Sequence, residues 1–341
     1  MKVAKLYSFN DIRIEEQPIP AIGHADALVR TEACGICSGD VMPWYIEKKA
    51  PLVIGHEPAG IIEDIGNDYI GPLKKGDRVA IHHHAPCMLC DYCRRGDHVQ
   101  CETWRKTGII PGGVSEFIAV PEINLKNDTL KVPAGMGPED ATLVEPAACV
   151  VKSFKRSSIK QGDTVLVIGL GVMGQMHVLM AHKFGASRVI GADMVDFRLS
   201  KAIEFGANHA IDVSKDDLLS AVRELTGGVM AQIVIAGPNS IEAMQQGIKA
   251  VARGGTVVFF TPAKPGDILA VDPNDIYFKD IRIITSYSCG PDDTKEAMRL
   301  IREGVITADK LVTHRFRIDE TARAYNLTAN AKESLKSLVV F

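Results

Sequence analysis

The segment VLVIGLGVMG, residues 165–174, constrains the fold of this chain more than any other. It sets Gly169, Gly171 and Gly174 in the spacing G-x-G-x-x-G, directly after an apolar strand-like run and at the start of a helical run. In that context the first glycine allows a tight turn, the second lets backbone approach a pyrophosphate, and the third lets helix and strand pack closely. The segment therefore predicts a dinucleotide-binding βαβ unit; glycines that only punctuate turns are the alternative.

An acidic residue further along the chain supports this prediction. Asp193 ends the next strand-like run, 19 residues after Gly174. There it would accept hydrogen bonds from the ribose hydroxyls of NAD and repel a 2′-phosphate. Arg198 is close enough in sequence to keep NADP as the weaker alternative. Met173 also lies at a helical spacing that fits core packing. The predicted cofactor-binding residues are Gly169, Gly171, Val172, Met173, Gly174, Asp193 and Arg198.

The pattern of the chain differs on the two sides of residue 150. Residues 1–150 form short, alternating strand-like runs that are punctuated by glycine and proline, which is typical of a β-rich domain. From Gly162 onward a strand followed by a long helix repeats, which predicts right-handed βαβ units and a parallel sheet. We predict an α/β fold with two domains: a β-rich domain of residues 1–150 and 290–341, and a dinucleotide-binding domain of residues 151–289.

Composition excludes several classes of function. The 341 residues carry a net charge of −3, which gives no electrostatic basis for binding nucleic acid. No run of about 18 uncharged apolar residues is present, so we expect no membrane span. The chain has eight cysteines but no signal peptide, and the cysteines are clustered. This usage favours metal binding or catalysis over disulfides, and we predict a cytoplasmic protein.

Four of the cysteines lie in one short segment, CMLCDYCRRGDHVQC. The spacing C-x2-C-x2-C-x7-C lets four thiolates surround one tetrahedral Zn²⁺ and leaves no open position for a substrate. We therefore predict a structural zinc lobe over residues 86–102; an iron–sulfur cluster or free thiols are the alternatives. The predicted ligands are Cys87, Cys90, Cys93 and Cys101.

Five motifs occur in order along the chain: CGIC at 34–37, GHEPAG at 55–60, the four-cysteine segment, LVEPAACVVKS at 143–153, and the glycine loop. Together they resemble the zinc-dependent medium-chain alcohol dehydrogenases. Glu145 stands where ethanol-type members carry cysteine, so the chain is most similar to the branch of sorbitol, other polyol and threonine dehydrogenases. The resemblance implies a GroES-like β-rich catalytic domain, a Rossmann domain with a doubly wound parallel sheet, and assembly into homodimers or homotetramers.

The resemblance also implies a catalytic zinc, in addition to the structural one. Cys37 and His56 would be its thiolate and imidazole ligands, and Glu145 would be the third. Glu57 would be an alternate ligand or a carboxylate beside the metal, and Asp40 would fix the tautomer of His56. Such a site keeps one open position, where zinc would activate an alcohol for hydride transfer to a nicotinamide.

The residues after Cys37 depart from the family pattern, which carries a hydroxyl residue and a histidine for a proton relay. Here the hydroxyl residue, Ser38, stands one position early, while Gly39 and Met42 occupy the relay positions. Three proton routes stay open: a water and Glu57, a cofactor ribose hydroxyl, or a local turn that brings Ser38 inward. The space that Gly39 leaves would suit a bulky or polar alcohol.

We interpret the chain as an NAD-dependent dehydrogenase of a secondary alcohol or polyol. Trp44 and Tyr45 would line the substrate pocket or its mouth, although Trp44 fits a core position equally well. One alternative is a reductase of an activated carbonyl or double bond on the same scaffold. Another is a catalytically silent protein that binds NAD and zinc.

Overall fold

A computed structural model describes residues Met1–Phe341. The chain divides into two compact units. The first contains Met1–Ala148 and Cys289–Phe341, and the second contains Cys149–Ser288. The sequence predicts these boundaries after residues 150 and 289, which is two residues and one residue later than in the structure.

Sixteen strands and fourteen α-helices make up the fold. The strands are β1 Lys2–Ser8, β2 Asp11–Glu16, β3 Ala27–Gly35, β4 Leu52–Val53, β5 Glu57–Ile65, β6 Arg78–Ile81, β7 Phe117–Val120, β8 Thr129–Lys131, β9 Thr164–Ile168, β10 Arg188–Asp193, β11 His209–Asp212, β12 Ala231–Ala236, β13 Val251–Phe259, β14 Arg282–Thr285, β15 Val312–Arg317 and β16 Lys336–Val340. The helices are α1 Pro43–Ile46, α2 Asp91–Arg94, α3 Glu102–Lys106, α4 Glu122–Asp128, α5 Pro138–Thr142, α6 Val144–Ser157, α7 Val172–Ala181, α8 Asp196–Glu204, α9 Leu218–Leu225, α10 Ile241–Ala250, α11 Pro273–Lys279, α12 Pro291–Arg302, α13 Ala308–Leu311 and α14 Thr321–Ala329. These helices are too short or too polar to span a bilayer.

The first unit is built on a seven-stranded sheet with the order β15-β16-β3-β5-β6-β8, and β7 also pairs with β3. β3 runs antiparallel to both β5 and β16, so Gly35 is paired with Glu57 on one side and with Leu338 on the other. This register brings the end of β3, the start of β5 and the start of β16 to the same place. A smaller antiparallel sheet, β2-β1-β4, completes the β-rich architecture.

The second unit contains a six-stranded sheet with the order β11-β10-β9-β12-β13-β14, and every pairing in it is parallel. All five residues of β9 are buried, as expected for a central strand with helices on both faces. Leu166, Ile190 and Val234, from three neighbouring strands, belong to its core. The predicted parallel α/β sheet is confirmed. The short strand β11 was not predicted, because only two of its four residues are apolar. Helix α9 was not predicted either.

Candidate active site and metal centres

Cys37 lies just beyond the end of β3 and begins a 3₁₀ turn of residues Ser38–Val41. Its Sγ atom accepts a hydrogen bond from the backbone N–H of Gly39, at 3.3 Å. Cys34 is different: it is fully buried in the core of the first unit, where burial raises the pKa of its thiol to about 12. Cys37 is therefore the thiol of this pair that is available as a ligand.

His56 and Glu57 stand at the start of β5. Asp40, buried in the 3₁₀ turn, brings its Oδ2 to 3.1 Å from Nδ1 of His56. Burial alone would lower the pKa of His56, but the charges of Asp40 and Cys37 raise it well above its usual value. Because Asp40 engages Nδ1, the Nε2 atom of His56 is the nitrogen free to bind a metal.

The ligand atoms of Cys37, His56 and Glu57 all lie within 4.8 Å of one another. One thiolate, one imidazole and one carboxylate form a donor set that suits Zn²⁺ and leaves a coordination position open. Glu57 is 2% exposed, and its Oε1 atom has no hydrogen-bond partner. A buried carboxylate oxygen without a partner is costly, and a bound metal would satisfy it.

Glu145, in the first turn of α6, does not belong to this group. Its carboxylate instead groups with His82 and His83, and it lines a small cavity together with Glu57 and His82. The carboxylate that stands with Cys37 and His56 is thus Glu57, which the sequence analysis gave as the alternate.

A buried lysine completes the surroundings of Glu57. Lys336, at the start of β16, is 1% exposed and forms an ion pair with Glu57. Its Nζ atom also donates to the carbonyl of Ile36, at 3.0 Å. Burial raises the pKa of Glu57, while the charge of Lys336 opposes that shift. A side chain at Gly35 would overlap the Glu57 carboxylate and the Lys336 side chain, which explains the glycine at that position.

Sequence reasoning missed Lys336. The only local signal is a lysine at the head of the apolar run KSLVV, where a charged residue needs a buried partner.

Three consecutive histidines follow β6 and take different roles. His82 is buried, with Nδ1 at 2.6 Å from Asp128, which also accepts from the Thr294 hydroxyl at 2.5 Å. The ring centroids of His83 and His56 are 4.8 Å apart. The ring of His84 lies 4.1 Å from that of His83.

The pKa values of His83 and His84 are both lowered. Burial and the charge of His56 hold the pKa of His83 well below its usual value. Burial lowers the pKa of His84 to about 4. Both imidazoles are therefore neutral at physiological pH, and one of them borders the Cys37, His56 and Glu57 group.

The four-cysteine segment forms a compact lobe around α2 and α3. Sγ of Cys93 lies 3.5 Å from that of Cys90 and 3.9 Å from that of Cys87. Burial would raise the pKa of Cys101, but backbone N–H groups of Cys87 and Trp104 help to lower it to about 6. All four sulfur atoms lie within 4.8 Å of one another, which fits a single tetrahedral zinc ion.

The glycine loop joins β9 to α7 as the spacing predicts. Gly169 has a φ of +85°, and a Cβ atom on Gly174 would overlap the carbonyl oxygen of Gly169. A Cβ on Gly171 would instead meet nothing within 4 Å. The backbone thus leaves open space where a dinucleotide pyrophosphate would approach, and the loop fits such a cofactor. Val172 is buried in the first turn of α7, and the carbonyl of Met173 hydrogen bonds to His177.

Asp193 lies at the end of β10 with its carboxylate turned toward the loop. Oδ2 accepts from the backbone N–H of Leu170 at 2.7 Å, and Oδ1 accepts from that of Met194 at 2.8 Å. The guanidinium group of Arg198 lies 3.5 Å from Oδ2. Asp193 and Arg198 therefore stand together beside the glycine loop.

The remaining predicted residues lie shortly after Cys37 in the chain. Ser38 is exposed, and its hydroxyl makes no hydrogen bond. Trp44 and Tyr45, in α1, are half-buried, with ring centroids 5.9 Å apart in an edge-on arrangement.

Comparison with known proteins identifies the family. The family model of the alcohol dehydrogenase GroES-like domain matches residues 23–134, and that of the zinc-binding dehydrogenases matches residues 172–303. L-galactonate-5-dehydrogenase of Escherichia coli is 32% identical over 333 residues, which cover 96% of this chain and 95% of that protein. Sorbitol dehydrogenase 2 of Saccharomyces cerevisiae is 29% identical over an alignment of 351 positions, which covers 98% of this chain and 96% of that protein.

A solved structure agrees with these matches. A zinc-binding dehydrogenase from Sinorhizobium meliloti, bound to NADP, superposes with a TM-score of 0.89 at 28% identity. The match covers 100% of this chain and 99% of that one.

Proposed function

The chain belongs to the zinc-binding, medium-chain alcohol dehydrogenase family and is a zinc-dependent alcohol or polyol oxidoreductase with a nicotinamide cofactor. From this premise we propose that it oxidises a secondary alcohol of a polyol, reversibly and with NAD, at a zinc ion held by Cys37, His56 and Glu57. The observation that carries this proposal is the grouping of three different ligand atoms within 4.8 Å.

Each of these residues has a distinct task. Cys37 would supply its sulfur and His56 its Nε2 atom, while Asp40 orients the imidazole ring through Nδ1. When bound, zinc supplies Lewis-acid chemistry, which polarises the oxygen of the reacting alcohol or ketone. Glu145 lines the same cavity as Glu57 and remains the alternative third ligand.

Lys336 controls the charge of Glu57. Its ammonium group lies in an ion pair with the buried carboxylate and opposes the rise in the pKa of Glu57 that burial causes. The pair holds the Glu57 carboxylate beside Cys37 and His56, where it could bind the metal or accept a proton.

The proton route that uses Ser38 has the least support, because the Ser38 side chain is exposed and unbonded. We expect Ser38→Ala to retain full activity. A large loss of kcat in this variant, with zinc content unchanged, would restore the route through an inward-turned Ser38.

NAD is proposed over NADP on the geometry at Asp193. Its carboxylate accepts from three backbone N–H groups beside the loop, where it would repel a 2′-phosphate. Arg198 is already engaged by this carboxylate. A kcat/KM that is higher with NADP than with NAD would contradict the proposal.

A second, structural zinc is proposed in the four-cysteine lobe, which offers four sulfur donors and no open position.

We also propose a homodimer or homotetramer and a cytoplasmic location. The second unit ends its sheet at β14, an exposed edge strand that a second copy could extend. Beside it in sequence, α11 exposes Tyr277 and Phe278. All eight cysteines are free thiols, as a reducing compartment requires.

The test combines zinc content per chain with NAD⁺ reduction, followed at the nicotinamide absorbance. The substrates are polyols, diols, secondary alcohols and threonine. Two zinc ions with turnover of one substrate class would support both metal sites. A single zinc and no turnover would refute the proposed roles of Cys37, His56 and Glu57.

A further inference from the structure

Gln175 is a buried glutamine on the helix that follows the glycine loop. It lies in α7, directly after Gly174, and its side chain is completely buried. Its Nε2 atom donates to two backbone carbonyls, that of Leu170 at 3.0 Å and that of Arg198 at 2.8 Å. Because both acceptors are carbonyl oxygens, the nitrogen and not the oxygen of the amide must face them. The side chain therefore joins the glycine loop to α8.

Leu170, the residue between the first two glycines of the loop, is held through both of its backbone polar groups. Its N–H donates to Oδ2 of Asp193 at 2.7 Å, and its carbonyl accepts from Gln175 at 3.0 Å. Glycines on both sides of Leu170 would otherwise allow this segment a wide range of backbone conformations. The two side chains therefore hold the loop in one conformation.

The second hydrogen bond of Gln175 holds the turn of α8 that carries Arg198. The guanidinium group of that arginine lies 3.5 Å from Oδ2 of Asp193, the atom that also accepts from Leu170. Gln175, Leu170, Asp193 and Arg198 thus form a closed ring of contacts, in which each residue touches the next. A change at one member of this ring is passed to the others.

The buried amide of Gln175 also has a cost. Its Oε1 atom has no hydrogen-bond partner, although the residue is fully buried. A buried polar atom without a partner destabilises the folded state, and a methionine of similar size would avoid this loss. A glutamine is therefore useful here only for its two N–H donors, which an apolar side chain cannot supply.

We propose that Gln175 is a positioning residue for the nicotinamide cofactor. It holds the glycine loop in the conformation that binds a dinucleotide, and it keeps Arg198 turned toward Asp193. This role rests on the proposed function, because it requires that NAD binds at the loop. It adds a residue outside the loop that favours NAD over NADP. Without the Gln175 amide, Leu170 is no longer fixed through its carbonyl, and Arg198 can turn toward a 2′-phosphate.

The test measures the Kd of the full-length protein for NADH and for NADPH by nicotinamide fluorescence, with no alcohol present. Gln175→Met keeps the length of the side chain and removes both N–H donors. Two hydrogen bonds of ordinary strength correspond to a rise of about 10-fold in the Kd for NADH. The Kd for NADPH should rise less, because Arg198 is released, so the preference for NADH over NADPH falls.

Steady-state kinetics with a polyol provide a second readout. In Gln175→Met the KM for NAD should rise, while kcat at saturating NAD and KM for the polyol should stay close to the wild-type values. Hydrogen–deuterium exchange provides a third, which needs no ligand. Backbone exchange of residues 165–175 should be faster in this variant, and exchange of Ala231–Ala236 should not change.

Gln232→Met is the matched control. Oε1 of Gln232, in β12 of the same unit, accepts from the N–H of Thr164 at 2.8 Å, at the opposite end of β9 from the glycine loop. Loss of this hydrogen bond should lower the thermal unfolding temperature and leave both Kd values unchanged. Gln175→Asn provides a milder change if Gln175→Met does not fold. Its amide is one methylene too short to span both carbonyls, so its Kd for NADH should also rise.

The outcomes separate this role from the proposed function. A wild-type Kd for NADH in both Gln175 variants, or an equal rise in Gln175→Met and Gln232→Met, would overturn the positioning role. An unchanged preference between NADH and NADPH would overturn its part in selectivity. NADH binding without turnover of any alcohol would overturn the proposed reaction and leave the role of Gln175 intact. Binding of neither nucleotide to the wild type would overturn both.

Discussion

The two candidate zinc groups of the first unit are assembled in opposite ways. The lobe draws all of its ligands from one segment that begins at Cys87 and ends at Cys101, and all four donors are sulfur. The other group combines a thiol, an imidazole and a carboxylate from the end of β3 and the start of β5. Its carboxylate forms an ion pair with Lys336 in β16. The lobe depends on local geometry alone, whereas the second group depends on the register of three paired strands.

This difference matters for what each group can do. A closed set of four thiolates holds a metal and offers nothing to a substrate. A mixed set of three ligands leaves a coordination position open, and here it requires that Glu57 and Lys336 are buried together. The proposed structural site is thus built from one segment of the chain, and the proposed catalytic site from several.

The largest expected effect is that loss of one ligand reduces activity in the Cys37, His56 and Glu57 group and stability in the four-cysteine lobe. Cys37→Ser should lower kcat/KM by about a thousandfold or more, because the Lewis acid contributes several kcal/mol to the reaction. Its thermal unfolding temperature should stay close to that of the wild type. Cys93→Ser, the matched variant in the lobe, should lose the lobe's zinc and unfold at a lower temperature. If Cys37→Ser is active, or if Cys93→Ser is as stable as the wild type, the comparison fails.

The second expected effect concerns the countercharge. Lys336→Met leaves the buried Glu57 carboxylate without a partner, and the loss of one member of a buried pair costs about 3–5 kcal/mol of unfolding free energy. Urea denaturation monitored by circular dichroism would measure this loss. Lys336→Arg keeps the charge and should lose less. A loss below about 1 kcal/mol in Lys336→Met would mean that the pair behaves like an exposed one.

A buried histidine outside both candidate zinc groups should make the unfolding free energy depend on pH. His177, in α7 of the second unit, donates from Nδ1 to the carbonyl of Met173 at 2.8 Å, and its Nε2 lies 3.1 Å from the Ser153 hydroxyl. Burial lowers the pKa of His177 to about 4. In the unfolded chain its pKa is about 6.5. Between these values the unfolded chain binds a proton that the folded chain does not, so stability falls as pH falls, by up to about 3 kcal/mol.

His177→Gln should remove this dependence. The difference in unfolding free energy between wild type and variant should therefore shrink as pH is lowered from 7 toward 4, in urea titrations at several pH values. Both metal groups are present in both proteins, so their own pH dependence cancels in this difference. A constant difference across this range would show that His177 is not neutral in the folded protein.

The smallest expected effect tests how His56 is oriented. Asp40→Asn keeps the shape of the side chain but removes its charge, and should weaken zinc at the Cys37, His56 and Glu57 group about 10- to 100-fold. Competition with a chelator would measure the affinity. Asp91→Asn, which removes an exposed acid within the four-cysteine lobe, should leave both zinc affinities unchanged. Equal affinities for Asp40→Asn and the wild type would remove Asp40 from the site.

The same difference between local and distributed construction explains what the sequence could predict. The glycine loop and the parallel sheet follow from nearby residues, since Gly169 and Gly174 act within one turn of chain. The family resemblance supplied Cys37, His56 and Glu57 as candidates, because their motifs are short and occur in order. The strand β11 was missed because its four residues are too few and too polar to stand out.

Other features depend on strand pairing that no local pattern encodes. Glu57, and not Glu145, stands with Cys37 because Gly35 pairs with Glu57 across the sheet. Lys336 reaches Glu57 because β16 lies on the other side of β3. The contact between His83 and His56 likewise joins the segment after β6 to the residue just before β5. Long-range register of this kind is decided by the whole sheet, and a single sequence carries little information about it.

The position of Lys336 also sets an order of events during synthesis. Lys336 follows Ile36, the residue whose carbonyl it contacts, by 300 positions. At ~5–20 residues per second, the ribosome delivers it on the order of tens of seconds after Cys37. The four-cysteine lobe is synthesised long before that time, so the proposed structural zinc could bind to the growing chain. Glu57 has no countercharge until the last strand joins the sheet, so the candidate site is complete only after the C-terminal segment has been made.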